Sequence, residues 1–344
     1  MSDLDPGDLI EGSCVIYYND HPRWLSAIHR RRRMATTTSS IARAAPSRPR
    51  PHASHRPRTV ASATARANDE DYVVIDRRRA LMMAFAGCAC AACAASPAEA
   101  MVKLIESDVA ASMTYDVARD AGLDATFARG MATMMNGFES AVKERKRALF
   151  ERLFATMRDG AGELAMCEIG AGTLPNIDFI ASMAPRAVDL IAIDPNDAMR
   201  AFAEDNLAAA LAASDNAAEV NVRFVHGVAE ALPLPDNSMD VVVSTLTLCS
   251  VVDQRVALKE IRRVLKPGGA FLFLEHVLSE TDPKFAELQE KLTPLQIKAA
   301  DGCHLNRRTL DVIRDEFSAQ VDGEYYELDG FWLIAPQVSG IAVA

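Results

Sequence analysis

Between residues 101 and 158 apolar side chains recur at helical spacing, as in Phe138, Val142, Leu149, Leu153 and Met157. From Leu164 the period changes, and short apolar runs alternate with longer amphipathic stretches. The runs Leu164 to Ile169, Ala187 to Ile193, Asn221 to Val225, Asp240 to Thr245 and Ala270 to Leu274 read as strands. Between them, Ile177 to Met183, Asn196 to Ala213 and Gln254 to Leu265 read as helices. Pro195 stands near the start of the second, and Leu258, Ile261 and Leu265 share one face of the third. Lys266-Pro267-Gly268-Gly269 breaks that third helix. Gly323 to Leu328 and Val338 to Val343 read as a closing strand pair. Strand–helix alternation of this kind predicts an α/β fold, a parallel sheet with helices on both faces. No internal repeat is visible.

The first hundred residues do not share this pattern. Met34 to Arg66 contains no Asp or Glu, six Arg and ten Ser or Thr. Such a segment buries too little apolar surface to fold, and Arg- and Ser-rich, acid-poor sequence is the mark of an organelle transit peptide. Met34 reads as the translation start, with residues 1–33 an upstream extension. A second signal follows: Arg77-Arg78-Arg79, the apolar run Ala80 to Ala95, then Ser96-Pro97-Ala98-Glu99-Ala100. That layout resembles a twin-arginine signal peptide, and the run is shorter and richer in Ala than the roughly 20 strongly apolar residues of a membrane span. The expected organisation is a disordered targeting region over 1–100 (transit peptide about 34–70, second signal 77–100), a helical segment over 101–158 and a catalytic domain over 159–344. The expected location is a chloroplast, in association with thylakoids.

Charge narrows the function. The first hundred residues hold 14 Arg and no Lys against 10 acidic residues, which leaves 23 basic and 37 acidic residues on the remainder. A body of charge −14 lacks the basic face that neutralises phosphates, so a nucleic-acid partner is not expected. The seven cysteines form no disulfide framework. Cys88, Cys90 and Cys93 lie in an Ala-rich run without interleaved His or carboxylate, so no metal site is expected there or elsewhere. The Lys143 to Arg147 charge run reads as a solvated helix face, and Met131, Met134 and Met135 as core filler or the adaptable wall of a greasy pocket.

Chemistry concentrates in Met166-Cys167-Glu168-Ile169-Gly170-Ala171-Gly172-Thr173-Leu174-Pro175-Asn176, an apolar run that ends in Gly-Ala-Gly before a helix. Glycines there let the backbone approach a ligand, and the helix start supplies unpaired N–H donors. The dinucleotide fingerprint requires a small third residue, and Pro175 stands in its place, against a nicotinamide-dependent oxidoreductase. Asp194, ending the second predicted strand, is placed to accept hydrogen bonds from ribose hydroxyls, a feature that dinucleotide and S-adenosylmethionine sites share.

The combination is more specific. After the first turn come Ile193-Asp194-Pro195-Asn196, then Ala229-Glu230-Ala231-Leu232-Pro233-Leu234-Pro235-Asp236-Asn237-Ser238-Met239-Asp240, then Leu265-Lys266-Pro267-Gly268-Gly269. This ordered series resembles the class I S-adenosylmethionine-dependent methyltransferases of the type 11 group. Ser244 to Val251, Leu274-Glu275-His276-Val277 and Asp301-Gly302-Cys303-His304-Leu305-Asn306-Arg307 are similar to the branch holding plant plastid methyltransferase-like proteins and animal alkyl-thiol S-methyltransferases. The resemblance implies a Rossmann-like, seven-stranded sheet of order 3-2-1-4-5-7-6 with an antiparallel seventh strand. It implies methyl transfer from S-adenosyl-L-methionine to a small, lipophilic acceptor (a thiol, quinone or lipid amine), with peripheral membrane association.

The resemblance also implies roles. Gly170 and Gly172 pack against the methionine part of the cofactor, and Glu168 helps hold that end. Asp194 binds the ribose, Ala229 and Glu230 lie beside the adenine, and Thr245 and Leu246 pass the sulfonium and the acceptor. His276, Asp301 and His304 are the candidate general bases. Cys249 and Cys303 read as core residues, because methyl transfer needs no covalent enzyme intermediate. Two positions depart from the family pattern. Leu174 stands where relatives carry Gly, which predicts a less open turn, and Val228 where relatives carry Asp, which removes a carboxylate from the adenine side.

Overall fold

A computed structural model describes residues 114–344 apart from 159, 161, 214–217 and 319. The targeting segments read in residues 1–100, and the helical reading of 101–113, lie outside the described residues.

Seven strands form one sheet: β1 (Leu164–Ile169), β2 (Val188–Asp194), β3 (Val220–His226), β4 (Met239–Thr245), β5 (Leu265–His276), β6 (Val321–Glu327) and β7 (Pro336–Val343). Their order is β3-β2-β1-β4-β5-β7-β6, as the resemblance implies. Pairings are parallel from β3 to β5, and β7 runs antiparallel to β5 and β6. Burial follows position in the sheet. The inner strands β1, β2 and β4 are buried on both faces and read as continuous apolar runs. The edge strands β3 and β6 alternate between half-buried and exposed positions, which blunts them as pairing templates.

Alternate residues of each inner strand feed two separate cores. On one face Leu164, Met166, Leu190, Val241 and Val243 meet α2 (Asn136–Ala155), α3 (Ile177–Met183) and α4 (Arg200–Ala213). On the other, Cys167, Ile191, Val242, Phe271 and Phe273 meet α5 (Gln254–Val264) and α7 (Thr309–Phe317). The start of α5 is fixed by Asp253, whose side chain accepts from the N–H groups of Arg255 and Val256. The Lys-Pro-Gly-Gly stretch ends α5, as expected, but belongs to β5. Leu265 pairs with Met239 and Ala270 with Val241, so the extra residues bulge out of the strand.

α1 (Ala121–Met134) precedes α2, and α6 (Pro283–Ala299) lies between β5 and α7. The apolar pattern does not reveal α6, because its buried residues are Gln289, Thr293 and Gln296. Gln289 is held by polar contacts: its Nε2 donates to the carbonyls of Val277 and Leu333, and its Oε1 accepts from the Ser279 N–H. The Lys143 to Arg147 run also departs from expectation at one position. Lys146 is 1% exposed and its ammonium lies 2.7 Å from Glu139, so it faces the interior. No helix among the described residues is long and apolar enough to cross a membrane.

Candidate active site

Reversal of strand order between β1 and β4 leaves a crevice beyond the carboxyl ends of the strands. A cavity of about 530 Å³ occupies it, within the usual size of small-ligand sites. Its floor is the turn after β1, Gly170 to Pro175, with Asp194 from β2, Thr245 at the end of β4 and Leu246 and Thr247 just after it.

The turn is shaped by backbone constraints. Gly170 has φ +56°, and a Cβ there would lie 2.3 Å from Thr247 Oγ1. Gly172 has φ +53°, and a Cβ there would find only the Gly170 carbonyl oxygen, 3.8 Å away. The first glycine lets β1 and β4 close on each other; the second leaves bare backbone on the cavity wall. Leu174 also takes a left-handed φ of 58° and is fully buried. The turn therefore keeps the conformation a glycine would give, and the leucine side chain enters the core.

Asp194 ties the floor together. One carboxylate oxygen accepts from Gly172 N–H at 2.8 Å and the other from Asn196 N–H at 2.7 Å. Burial pushes its pKa up to about 6, against the pull of those two N–H groups. Glu168, 1% exposed, lies beneath the turn rather than on the wall. Its Oε1 accepts from Asn176 Nδ2 at 2.8 Å, while Oε2 has no hydrogen-bond partner among the described residues. Burial raises its pKa to about 7, opposed by the Asn176 hydrogen bond and by Lys146. Asn176 also donates to Thr245 Oγ1 at 3.1 Å, so one amide joins the ends of β1 and β4.

These carboxylates set a pH dependence. Both bind protons more tightly folded than unfolded, so their contribution to stability is full below about pH 4 and is lost as pH rises through about 6 to 7. Urea denaturation of the ligand-free chain is expected to show stability falling by roughly 2–3 kcal/mol between about pH 5 and 7.5. A flat or rising profile over that window would contradict the buried placement of Glu168.

The remaining expected residues fall at different distances from the cavity. Ala229 and Glu230 line it, beside Val228, which presents no carboxylate. Glu230 is 3% exposed, and its Oε1 accepts from the N–H groups of Val252 and Asp253 at 2.6 and 3.1 Å, so it also anchors the start of α5. Thr245 and Leu246 are on the wall, Leu246 with φ +55°. Of the candidate bases, Asp301 lines the cavity; His276 and His304 do not. His304 Nδ1 lies 2.7 Å from the Gly302 carbonyl and 3.2 Å from that of Cys249, which braces a loop. His276 is buried behind the wall with Nε2 3.1 Å from Cys303 Sγ.

The N-terminal segment completes the cavity, a contribution the sequence reading does not resolve. Phe127, Met131 and Met135 add apolar side chains to its lining, as do Val251 and Val252. Arg119 bridges Asp124 and Asp301, at 2.7 Å to each. His226, at the end of β3, contacts Asp116 at 3.2 Å and Asp197 at 2.9 Å. Glu139 lines the cavity next to its buried partner Lys146. Spacing carries a signal for that lysine: it follows Val142 by four residues and precedes Leu149 by three, on the apolar face of α2.

The residues fit S-adenosylmethionine. Asp194 brings a carboxylate to the cavity at the end of β2, and bare backbone at Gly172 admits close approach of a ligand. A methyltransferase-domain family model matches residues 167–273. Thiol S-methyltransferase TMT1B of Rattus norvegicus is 34% identical over 62% of this chain and 84% of its own length. Thiol S-methyltransferase TMT1A of Homo sapiens is 32% identical over 60% and 81%. The ubiquinone/menaquinone biosynthesis C-methyltransferase UbiE of Ectopseudomonas mendocina is 37% identical over 31% and 40%. The crystal structure of the YcgJ protein from Bacillus subtilis superposes with a TM-score of 0.38 and 26% identity, over 53% of this chain and 70% of that one. Fold, cavity and relatives agree: the chain belongs to the class I S-adenosylmethionine-dependent methyltransferases, and S-adenosylmethionine is its cofactor.

Proposed function

We propose that the enzyme methylates a small lipophilic thiol, with Asp301 taking the thiol proton. The observation that carries this reading is that Phe127, Met131 and Met135, three apolar side chains, line the same cavity as the glycine turn. Thioether side chains adapt to irregular greasy shapes. The similarity to thiol S-methyltransferases over most of their length supports sulfur as the acceptor atom.

S-adenosylmethionine, when bound, supplies a methyl group already activated by its sulfonium. The residues of this chain then have to align the acceptor and remove its proton. Alignment of two bound partners is worth up to about 7–11 kcal/mol. A free cysteine thiol has a pKa of about 8.5 and a simple alkyl thiol ionises at higher pH still, so little of the acceptor is thiolate at neutral pH. Asp301 is the candidate base on the wall, and Arg119, bound to its Oδ1, fixes its direction.

Asp301→Asn tests this assignment. Asp301 has φ +47°, a conformation asparagine adopts readily, so the backbone should not be disturbed. The expected loss is about 100-fold in kcat with an alkyl thiol near pH 7, shrinking to within about threefold above the thiol pKa, where the acceptor ionises unaided. A loss of equal size at both pH values would reject Asp301 as the base.

A further inference from the structure

Cys249, His276 and Cys303 come from three separate elements: the loop after β4, the end of β5 and the loop between α6 and α7. Their Sγ, imidazole and Sγ atoms lie within 4.8 Å of one another, and all three side chains are at most 2% exposed. We propose that this cluster is a zinc site, built into the back of the acceptor wall.

The donor set has the right chemistry. Two thiols and an imidazole are borderline-soft ligands, which zinc prefers over the oxygen ligands of magnesium or calcium. On binding, each thiol releases its proton to solvent and the histidine stays neutral. Two thiolates then balance the dication, so a buried site carries no net charge. A fourth donor is at hand. Gln296 is fully buried on α6, its amide nitrogen is 3.5 Å from Cys303 Sγ, and its Oε1 has no hydrogen-bond partner among the described residues. A half-turn of the amide exchanges its two ends and brings that oxygen to the side of Cys303, where it can serve as a fourth ligand.

The placement gives the ion a task. Ser250 follows Cys249 on the cavity wall, and Asp301 and Gly302 precede Cys303 there. An ion holding the three ligands would clip the ends of β4 and β5 to the loop that presents Asp301. It is thus a positioning device for the acceptor side and takes no part in the transfer itself. The proposal concerns residues outside the cofactor floor and stands whether the acceptor is a thiol or not.

Metal content of the full chain, purified under reducing conditions and incubated with zinc sulfate, is the direct test. Mass spectrometry of the dialysed protein should find one zinc per chain, falling at least about tenfold in Cys249→Ser and in Cys303→Ser. Because loss of a buried side chain can also cost the fold, a second measurement uses the unaltered chain. Cobalt in place of zinc should give a thiolate-to-cobalt charge-transfer band and the intense visible bands of tetrahedral cobalt. Zinc below about one tenth of an equivalent, or cobalt without the charge-transfer band, would overturn the site. Zinc unchanged in both serine variants would also overturn it.

Discussion

Replacing Asp194 by alanine is expected to weaken S-adenosylmethionine binding by about 100-fold, with a much smaller effect on stability. The two effects separate because the carboxylate has two unequal roles. Towards the protein it accepts the Gly172 and Asn196 N–H groups, and its removal leaves both short of a partner. The same removal abolishes a buried charge whose pKa is already pushed up to about 6, so the net cost to the fold near neutrality is about 1 kcal/mol. Towards the cofactor no compensation is expected, since a charge-assisted hydrogen bond of the kind proposed to the ribose hydroxyls contributes about 1.5–3 kcal/mol. Isothermal titration gives the affinity and urea denaturation the stability. An affinity within about threefold of the unaltered enzyme would mean that the ribose is held elsewhere.

The second large effect is expected at Gly170. Alanine there brings a Cβ to 2.3 Å from Thr247 Oγ1 and 2.4 Å from its methyl carbon, at a φ of +56°. Thr247 is a short β-branched residue whose hydroxyl already donates to the Ile169 carbonyl, so it has little freedom to retreat. Overpacking and left-handed strain together are expected to cost about 3 kcal/mol and to reduce cofactor affinity about tenfold or more. Gly172→Ala provides the contrast. It meets no atom closer than 3.8 Å, so the fold should lose only about 1 kcal/mol, while its new methyl group stands on the cavity wall. Equal stability losses for the two variants would show that the contact with Thr247 is not what requires glycine at 170. Adding Thr247→Gly to Gly170→Ala should recover part of the lost stability by removing the clash.

Much of this architecture is legible in the sequence because the sheet is parallel. Strands buried on both faces, such as Leu164 to Ile169 and Met239 to Thr245, stand out as apolar runs, and Gly170 and Asp194 sit at the strand ends where ligands bind. The helix α6 is hidden for the opposite reason: it buries two glutamines and a threonine, Gln289 held by hydrogen bonds at both ends of its amide, and a hydrophobic pattern cannot report polar residues. Leu174 shows another limit. Sequence alone flags the missing glycine, and it does not tell that Leu174 takes a left-handed φ with its side chain packed in the core. The three candidate bases are equivalent in sequence, each near a strand end or loop. Only the packing of β5, α6 and α7 separates Asp301 on the wall from His276 behind it and His304 bracing the loop. Asn176 and Arg119 reach the site through contacts with Thr245 and Asp301, distant in sequence, and local spacing holds no trace of those partners.

The acceptor is the central claim, and one competition measurement tests it most directly. The purified full chain is given S-adenosylmethionine with a labelled methyl group and equal amounts of an alkyl thiol, a demethylated quinol and a primary-amine lipid. The label is predicted to appear in the thioether, with one S-adenosylhomocysteine formed for each methyl group transferred. Label in the quinol or the lipid amine, or none in any acceptor from an enzyme that binds the cofactor, would contradict the thiol assignment.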